Sequence, residues 1–171
     1  MIHKAFRYRI YPVRPQKSQI TINCGCSRYV YNYFRSMREQ MYKLFFVTVS
    51  YNCCSEELTA LKKDSDHLFL NDADSTALQS ALRDLDDAYN RFFHGKAGYP
   101  KYRSKKDHIQ RYTTKNNNGS IKVFSDSIQL PKLGIVKARI SRPIEGRILR
   151  ATVEVTASGK YYVSILCECD D

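Results

Sequence analysis

The periodicity of the apolar side chains changes twice along this sequence, and the order of the changes restricts the fold. Residues 3–11 alternate: Phe6, Tyr8 and Ile10 point one way and Arg7 and Arg9 the other, as in a half-buried strand with a basic outer face. Pro12 and Pro15 end that strand and suit the first turn of a helix. Two helices are expected between residues 15 and 46, divided near Gly25. The second aligns Tyr29, Val30, Tyr33, Phe34, Met37 and Met41 at helical spacing, which assigns Tyr29, Tyr33 and Phe34 to the core. Ser55 reads as an N-cap ahead of Glu56 and Glu57. The clearest helix starts near Asp74 or Ser75. It carries Leu78, Leu82, Leu85, Tyr89 and Phe92 in one stripe until Gly95 and Gly98-Tyr99-Pro100.

Residues 100–120 read as a polar, basic connector that closes on the turn signal Asn116-Asn117-Asn118-Gly119. Short β-rich segments follow at 121–124, 127–130, 133–140, 148–156 and 161–168. A single opening strand needs partners, and the other strands all lie beyond the helical block. The expectation is an α+β fold: a small β-barrel formed by the first strand and the C-terminal strands, with an inserted α-helical domain.

Charge indicates the partner of such a fold. Lys+Arg number 28 against 17 for Asp+Glu, a net charge of +11, and 43% of residues are hydrophobic, enough for a core. The cations gather in the first strand with its following helices and again from Arg91 to Lys115, while acids crowd between Glu56 and Asp87. This segregated excess favours a polyanion, because each neutralised phosphate releases counterions. The six cysteines fall as two CxC pairs and one adjacent pair, without the CxxC spacing of structural zinc, and read as reduced thiols. Asp84, Asp86 and Asp87 read as a solvated helix face, the four histidines are scattered, and no nucleophile motif occurs. No catalytic or metal-ligating set is expected. Nothing is long and apolar enough to suggest a membrane span, so a cytoplasmic protein, nucleoid-associated when bound to DNA, is expected.

The candidate binding residues are basic or aromatic. Lys4, Arg7 and Arg9 lie on or beside the outer face of the first strand, and Arg28 and Arg111 extend the two basic stretches. In the connector, Lys101, Arg103, Lys105 and Lys106 can each meet a phosphate, while Tyr99 and Tyr102 can stack on a sugar or base. Ser75, Thr76 and Gln79 occupy the first turns of the long helix, where short polar side chains can approach base edges.

The order of motifs resembles the start of TnpB proteins, the OrfB-type transposon-encoded RNA-guided nucleases related to miniature type V CRISPR effectors. The likeness is carried by Lys4-Ala5-Phe6-Arg7-Tyr8-Arg9-Ile10-Tyr11-Pro12, Cys26 to Asn32, Ser55 to Lys62, Ala77 to Asp86, Phe92-Phe93, Tyr99 to Lys106, and Ile128 to Gly134. The resemblance implies a wedge-like domain at 1–12 and 107–171 and a recognition-like helical domain at 13–106, with the basic connector near 95–106. It implies a guide RNA and a target DNA duplex with its flanking motif as partners, and places Tyr51 and Thr113 with the start of the long helix near that motif. In that family a RuvC-type nuclease domain and a zinc ribbon come next. The Mg2+ and Zn2+ sites would lie there, so this stretch is expected to bind without cleaving and to need no cofactor. A separate nuclease-domain chain or a second copy are further candidate partners. Other readings stay open: a stand-alone DNA-binding regulator or transposition accessory of helix-turn-helix type, an RNA-binding adaptor, or a non-functional truncated transposase fragment.

Overall fold

The computed structural model describes residues 1–171. The fold is α+β: β1 (Ile2–Tyr11), α1 (Arg14–Phe45), α2 (Tyr51–Leu61), a 3-10 segment (Ser65–Asp72), α3 (Ser75–Phe93), then β2 (Ile109–Lys115), β3 (Lys122–Val123), β4 (Ser127–Leu130), β5 (Gly134–Arg139), β6 (Arg147–Thr156) and β7 (Tyr161–Cys169). The chain forms two compact units, one of residues 1–24 with 107–171 and the other of residues 25–106.

The first unit is a seven-stranded sheet in the order β2-β6-β7-β1-β5-β4-β3, antiparallel at every pairing. The first strand does join the late ones: β1 pairs with β7 from Ile2↔Cys169 to Ile10↔Tyr161, and with β5 through Arg9↔Arg139. One face of the sheet is apolar. Phe6, Tyr8, Ile10, Ile128, Leu130, Val136, Ala151, Val153, Val163, Ile165 and Cys167 are all buried. The first turns of α1 belong to this unit. Ile20 is buried, and the Gln16 side-chain amide donates to the carbonyls of Leu133 and Ile135 at 3.1 and 2.9 Å. The Arg142 loop covers Phe6 and Tyr8: its guanidinium sits 4.5 Å from the Phe6 ring centre, and its carbonyl accepts from the Tyr8 hydroxyl at 3.0 Å.

The expected barrel is not closed. The sheet runs from β2 at one edge to β3 at the other, and these two edges are not paired. Closure needs strands long enough to carry a continuous stagger, and β3 has two residues. A second correction concerns β2, which lies in the stretch read as connector. Tyr112 and Thr114 alternate inward with Arg111 and Thr113 outward, and all seven residues pair with β6. The basic content masked an ordinary two-residue period there.

The second unit packs α1 from Gly25 onward with α2 and α3. Its core joins Cys26, Val30, Phe34, Cys54, Leu58, Leu70, Leu78, Ala81, Leu82, Leu85 and Tyr89. The leucine stripe of α3 is thus buried as its spacing requires. Asp74 caps that helix, its carboxylate accepting from the Thr76 amide at 3.0 Å. Helix α2 starts earlier than expected, at Tyr51. Ser50 is its N-cap, accepting from the Cys53 amide, so Ser55 lies inside the helix. Burial pushes the Cys54 thiol up to about 11, which keeps it protonated inside the core.

Two further expectations for α1 change. The helix is continuous through Gly25. One glycine weakens a helix by about 1 kcal/mol without ending it, and Cys24 and Cys26 on either side are buried. Phe34 is in the core, but Tyr29 and Tyr33 are each 38% exposed. The buried stripe runs Cys26, Val30, Phe34, and a residue one position away is turned by about 100°. That rotation carries both tyrosines onto the flank of the helix.

Candidate nucleic-acid interface

Residues opposite each other in a ladder share a face of the sheet, so the register identifies what lies across from the core. Arg9 is opposite Arg139 on β5 and Tyr162 on β7; Tyr162 is opposite Glu154 on β6; and Glu154 is opposite Arg111 on β2. Tyr11 is opposite Lys137, and Thr152 is opposite both Ser164 and Thr113. Strands β5 and β1 and the β2 edge therefore present Lys137, Arg139, Arg7, Arg9 and Arg111 on one surface, with Tyr162 of β7 and Glu154 of β6 between them. Its carboxylate at the centre is Glu154, which meets Arg7 at 3.4 Å and Arg111 at 3.9 Å. The tyrosines hold the cations flat. The Arg7 guanidinium lies 4.2 Å from the Tyr162 ring centre, and that of Arg9 lies 5.2 Å from Tyr11 and 5.6 Å from Tyr162. Lys4 stands farther along β1, paired with Glu145 at 3.4 Å, and Thr113 shares a 2.9 Å hydroxyl contact with Thr152.

In the helical unit, the polar residues at the start of α3 meet α2. Tyr51 and Ser55 both donate from their hydroxyls to Gln79 Oε1, each at 3.1 Å. The carboxamide oxygen is held twice, which leaves Nε2 as the donor directed elsewhere. The Arg83 guanidinium stacks 3.6 Å from the Tyr51 ring centre and completes the cluster. Ser75 is exposed and Thr76 half-buried beside the Asp74 cap. The structure brings Tyr51 and Gln79 together, whereas Thr113 is on the sheet unit.

The connector from Tyr99 to Lys106 is stapled down. Asn32 on α1 donates to the Arg103 carbonyl at 2.9 Å and accepts from its amide at 2.8 Å. The buried Arg35 side chain bonds the Pro100 carbonyl at 2.9 Å and lies 3.9 Å from the Tyr102 ring centre. Tyr99 shares a hydroxyl contact with Tyr89 at 3.0 Å; burial first, and that hydrogen bond next, raise the Tyr89 phenol. The Arg103 guanidinium is engaged by Asp84 at 3.3 Å and by the Tyr31 ring at 3.9 Å. Lys101, Lys105 and Lys106 are exposed, and Arg28 is half-buried on α1. No three His, Cys, Asp or Glu side chains converge to hold a metal ion, and no helix is long and apolar enough to cross a membrane.

Sequence reasoning did not single out Lys137, Arg139, Tyr162 or Arg83, and read Ser55 only as a helix cap. The first two alternate with the buried Val136 and Ala138, so the signal was local, but their alignment with Arg9 depends on pairing across more than a hundred residues.

Residues 1–44 match a family described as a helix-turn-helix domain of the OrfB, IS605 type. In this structure those residues are β1 and most of one uninterrupted helix, so they do not form a helix-turn-helix. Over 170 residues the chain is 32% identical to a protein of Streptomyces pristinaespiralis named, provisionally, as an RNA-guided DNA endonuclease, covering 98% of this chain and 42% of that one. It is 27% identical, over 98% of its length and 41% of the relative's, to the InsQ protein of Escherichia coli K12, which carries the same provisional name. The chain thus spans less than half the length of these curated relatives. By this similarity the chain corresponds to the N-terminal portion of the OrfB-type (TnpB) proteins.

Proposed function

We propose that this chain is the nucleic-acid-gripping portion of an RNA-guided DNA endonuclease, with the sheet unit acting as the wedge and the helical unit as the recognition domain. The observation that carries the reading is the sheet surface opposite the core, where Lys137, Arg139, Arg7, Arg9 and Arg111 line up across the strands. Planar guanidiniums fixed on Tyr162 and Tyr11 suit the phosphates of a guide RNA scaffold or of its heteroduplex with target DNA. Lys101, Lys105 and Lys106 add phosphate contacts from the helical unit. The Gln79 amide, oriented by Tyr51 and Ser55 with Ser75 and Thr76 nearby on α3, reads the duplex flanking the target. Cleavage is assigned outside these residues, together with any metal ions it needs, and a separate nuclease chain is the corresponding partner where none is covalently attached.

The test uses the chain as purified. RNA that copurifies is sequenced, and binding to that RNA and to duplex DNA is measured for the chain and for a Lys137→Glu, Arg139→Glu variant. A defined RNA species, with affinity for it reduced at least tenfold in the variant, is the expected result. Duplex binding with no RNA retained would instead support a stand-alone DNA-binding regulator. Absence of binding to either nucleic acid at low salt would sink the proposal.

A further inference from the structure

A shallow groove in the helical unit is not used by the proposal above, although Arg28 and Tyr102 on its walls are among the candidate binding residues. Gly25, Arg28, Tyr29, Asn32, Tyr33 and Ser36, successive positions on one side of α1, form it together with Tyr102 from the connector; its volume is about 350 Å³. Gly25 has no side chain, and Arg28 Nη2 lies 3.7 Å from where its Cβ would stand. Its walls carry three aromatic rings, one cation and no carboxylate.

The rings are held in place from behind. Tyr29 and Tyr33 stack on each other with ring centres 6.1 Å apart, and Tyr33 rests edge-on against the core residue Phe34 at 5.1 Å. The Tyr29 hydroxyl contacts His67 Nε2 at 2.9 Å, His67 Nδ1 contacts Asp64 at 2.6 Å, and Phe69 meets Tyr29 edge-on at 5.2 Å. Tyr102 lies over the Arg35 guanidinium and shares a 2.7 Å contact with Ser36, yet it remains 55% exposed. Three rings thus keep exposed area while their conformations are fixed. Ordering a ligand here costs little side-chain entropy on the protein side.

We infer that this groove is a stacking platform for unpaired nucleotides, with the bases lying on Tyr33 and Tyr102 and the phosphates meeting Arg28 and the neighbouring Lys101. The inference rests on the nucleic-acid reading above and goes beyond it by naming single-stranded, unpaired residues as the ligand at this place. Two observations select that occupant. The groove and the adjoining connector are positive, which opposes a second copy of this chain, itself at +11, and favours a polyanion. The polar groups of the groove are already committed. Asn32 is bonded at both ends to the Arg103 backbone, and Ser36 to Tyr102. With edge-reading donors and acceptors occupied, recognition falls to ring faces and charge. Such a site takes any base, favours those that stack strongly, and rejects a duplex whose bases are already stacked.

The chain contains no tryptophan, so Tyr33→Trp supplies a single reporter at the platform. Its emission is followed while a single-stranded RNA, a single-stranded DNA, the same DNA with abasic positions, and a duplex are added. Quenching by both base-bearing single strands and none by the abasic strand is expected. Tyr33→Ala and Tyr102→Ala should each weaken single-strand binding roughly 5- to 150-fold and leave duplex binding unchanged, the span one stacked base carries. Single-strand binding without quenching, and unaltered in both alanine variants, overturns the platform while the broader nucleic-acid reading stands. A change of oligomeric state in Tyr33→Ala by light scattering, with oligonucleotide affinity intact, also overturns it and makes the face a self-association surface. Failure to bind duplex and single strands alike would remove the broader reading as well.

Discussion

At the residue scale, the Gln79 side chain shows how one polar group acquires a direction. A free glutamine can turn either end of its amide outward, but two hydroxyl donors hold Oε1, so the amide nitrogen becomes the outward group. Gln79→Leu should therefore lose discrimination among flanking duplexes. The expected loss is roughly 1–3 kcal/mol, the worth of one base-edge contact, with affinity for random duplex retained. Tyr51→Phe removes one of the two hydroxyls and should give a smaller loss in the same competition assay. Gln79 was named as a candidate from its place near a helix start. Ser55 was not, because it reads as a helix cap from its neighbours; only the packing of α2 on α3 shows it inside a helix and facing the amide.

At the element scale, α1 decides the architecture. It supplies Ile20 to the sheet core and Val30 and Phe34 to the helical core, so a single element contributes to both units. Its continuity at Gly25 has a measurable consequence. A Cβ at that position meets only the tip of Arg28 at 3.7 Å, an ordinary contact. Gly25→Ala should raise the stability of the folded chain by about 0.5–1 kcal/mol in urea unfolding, through the helix propensity gained. No gain, or a loss, would mean that the helix is interrupted there. Strand β2 carries the complementary lesson. Its Lys and Arg content looks like a linker, yet it pairs along its full length as an edge strand, and charged side chains on an edge hinder pairing with other chains.

At the scale of the whole molecule, the +11 charge is a statement about association. If the aligned cations of the sheet neutralise phosphates, the logarithm of the duplex binding constant should fall linearly with the logarithm of salt concentration. Lys137→Glu with Arg139→Glu should reduce that slope by about 2, since each phosphate left without its cation removes about 0.9. Filter binding across a salt series measures it, and an unchanged slope would remove those two residues from the interface.

What the sequence determined by itself was local. The two-residue and 3.6-residue periods marked β1, α3 and the late strands, the excess of Lys and Arg favoured a polyanion as partner, and the order of motifs pointed to the OrfB type. What the tertiary structure decided depended on partners far away in the chain. Strand β1 finds β5 and β7 across the helical block, which puts Arg9 beside Arg139 and Tyr162, and the sheet stays open because β3 is too short to close it. Tyr29 and Tyr33 have the spacing of core residues but lie outside it, because helical spacing fixes which residues share a side and not which side is buried. Burial is set by where α2 and α3 pack, and they pack on Val30 and Phe34.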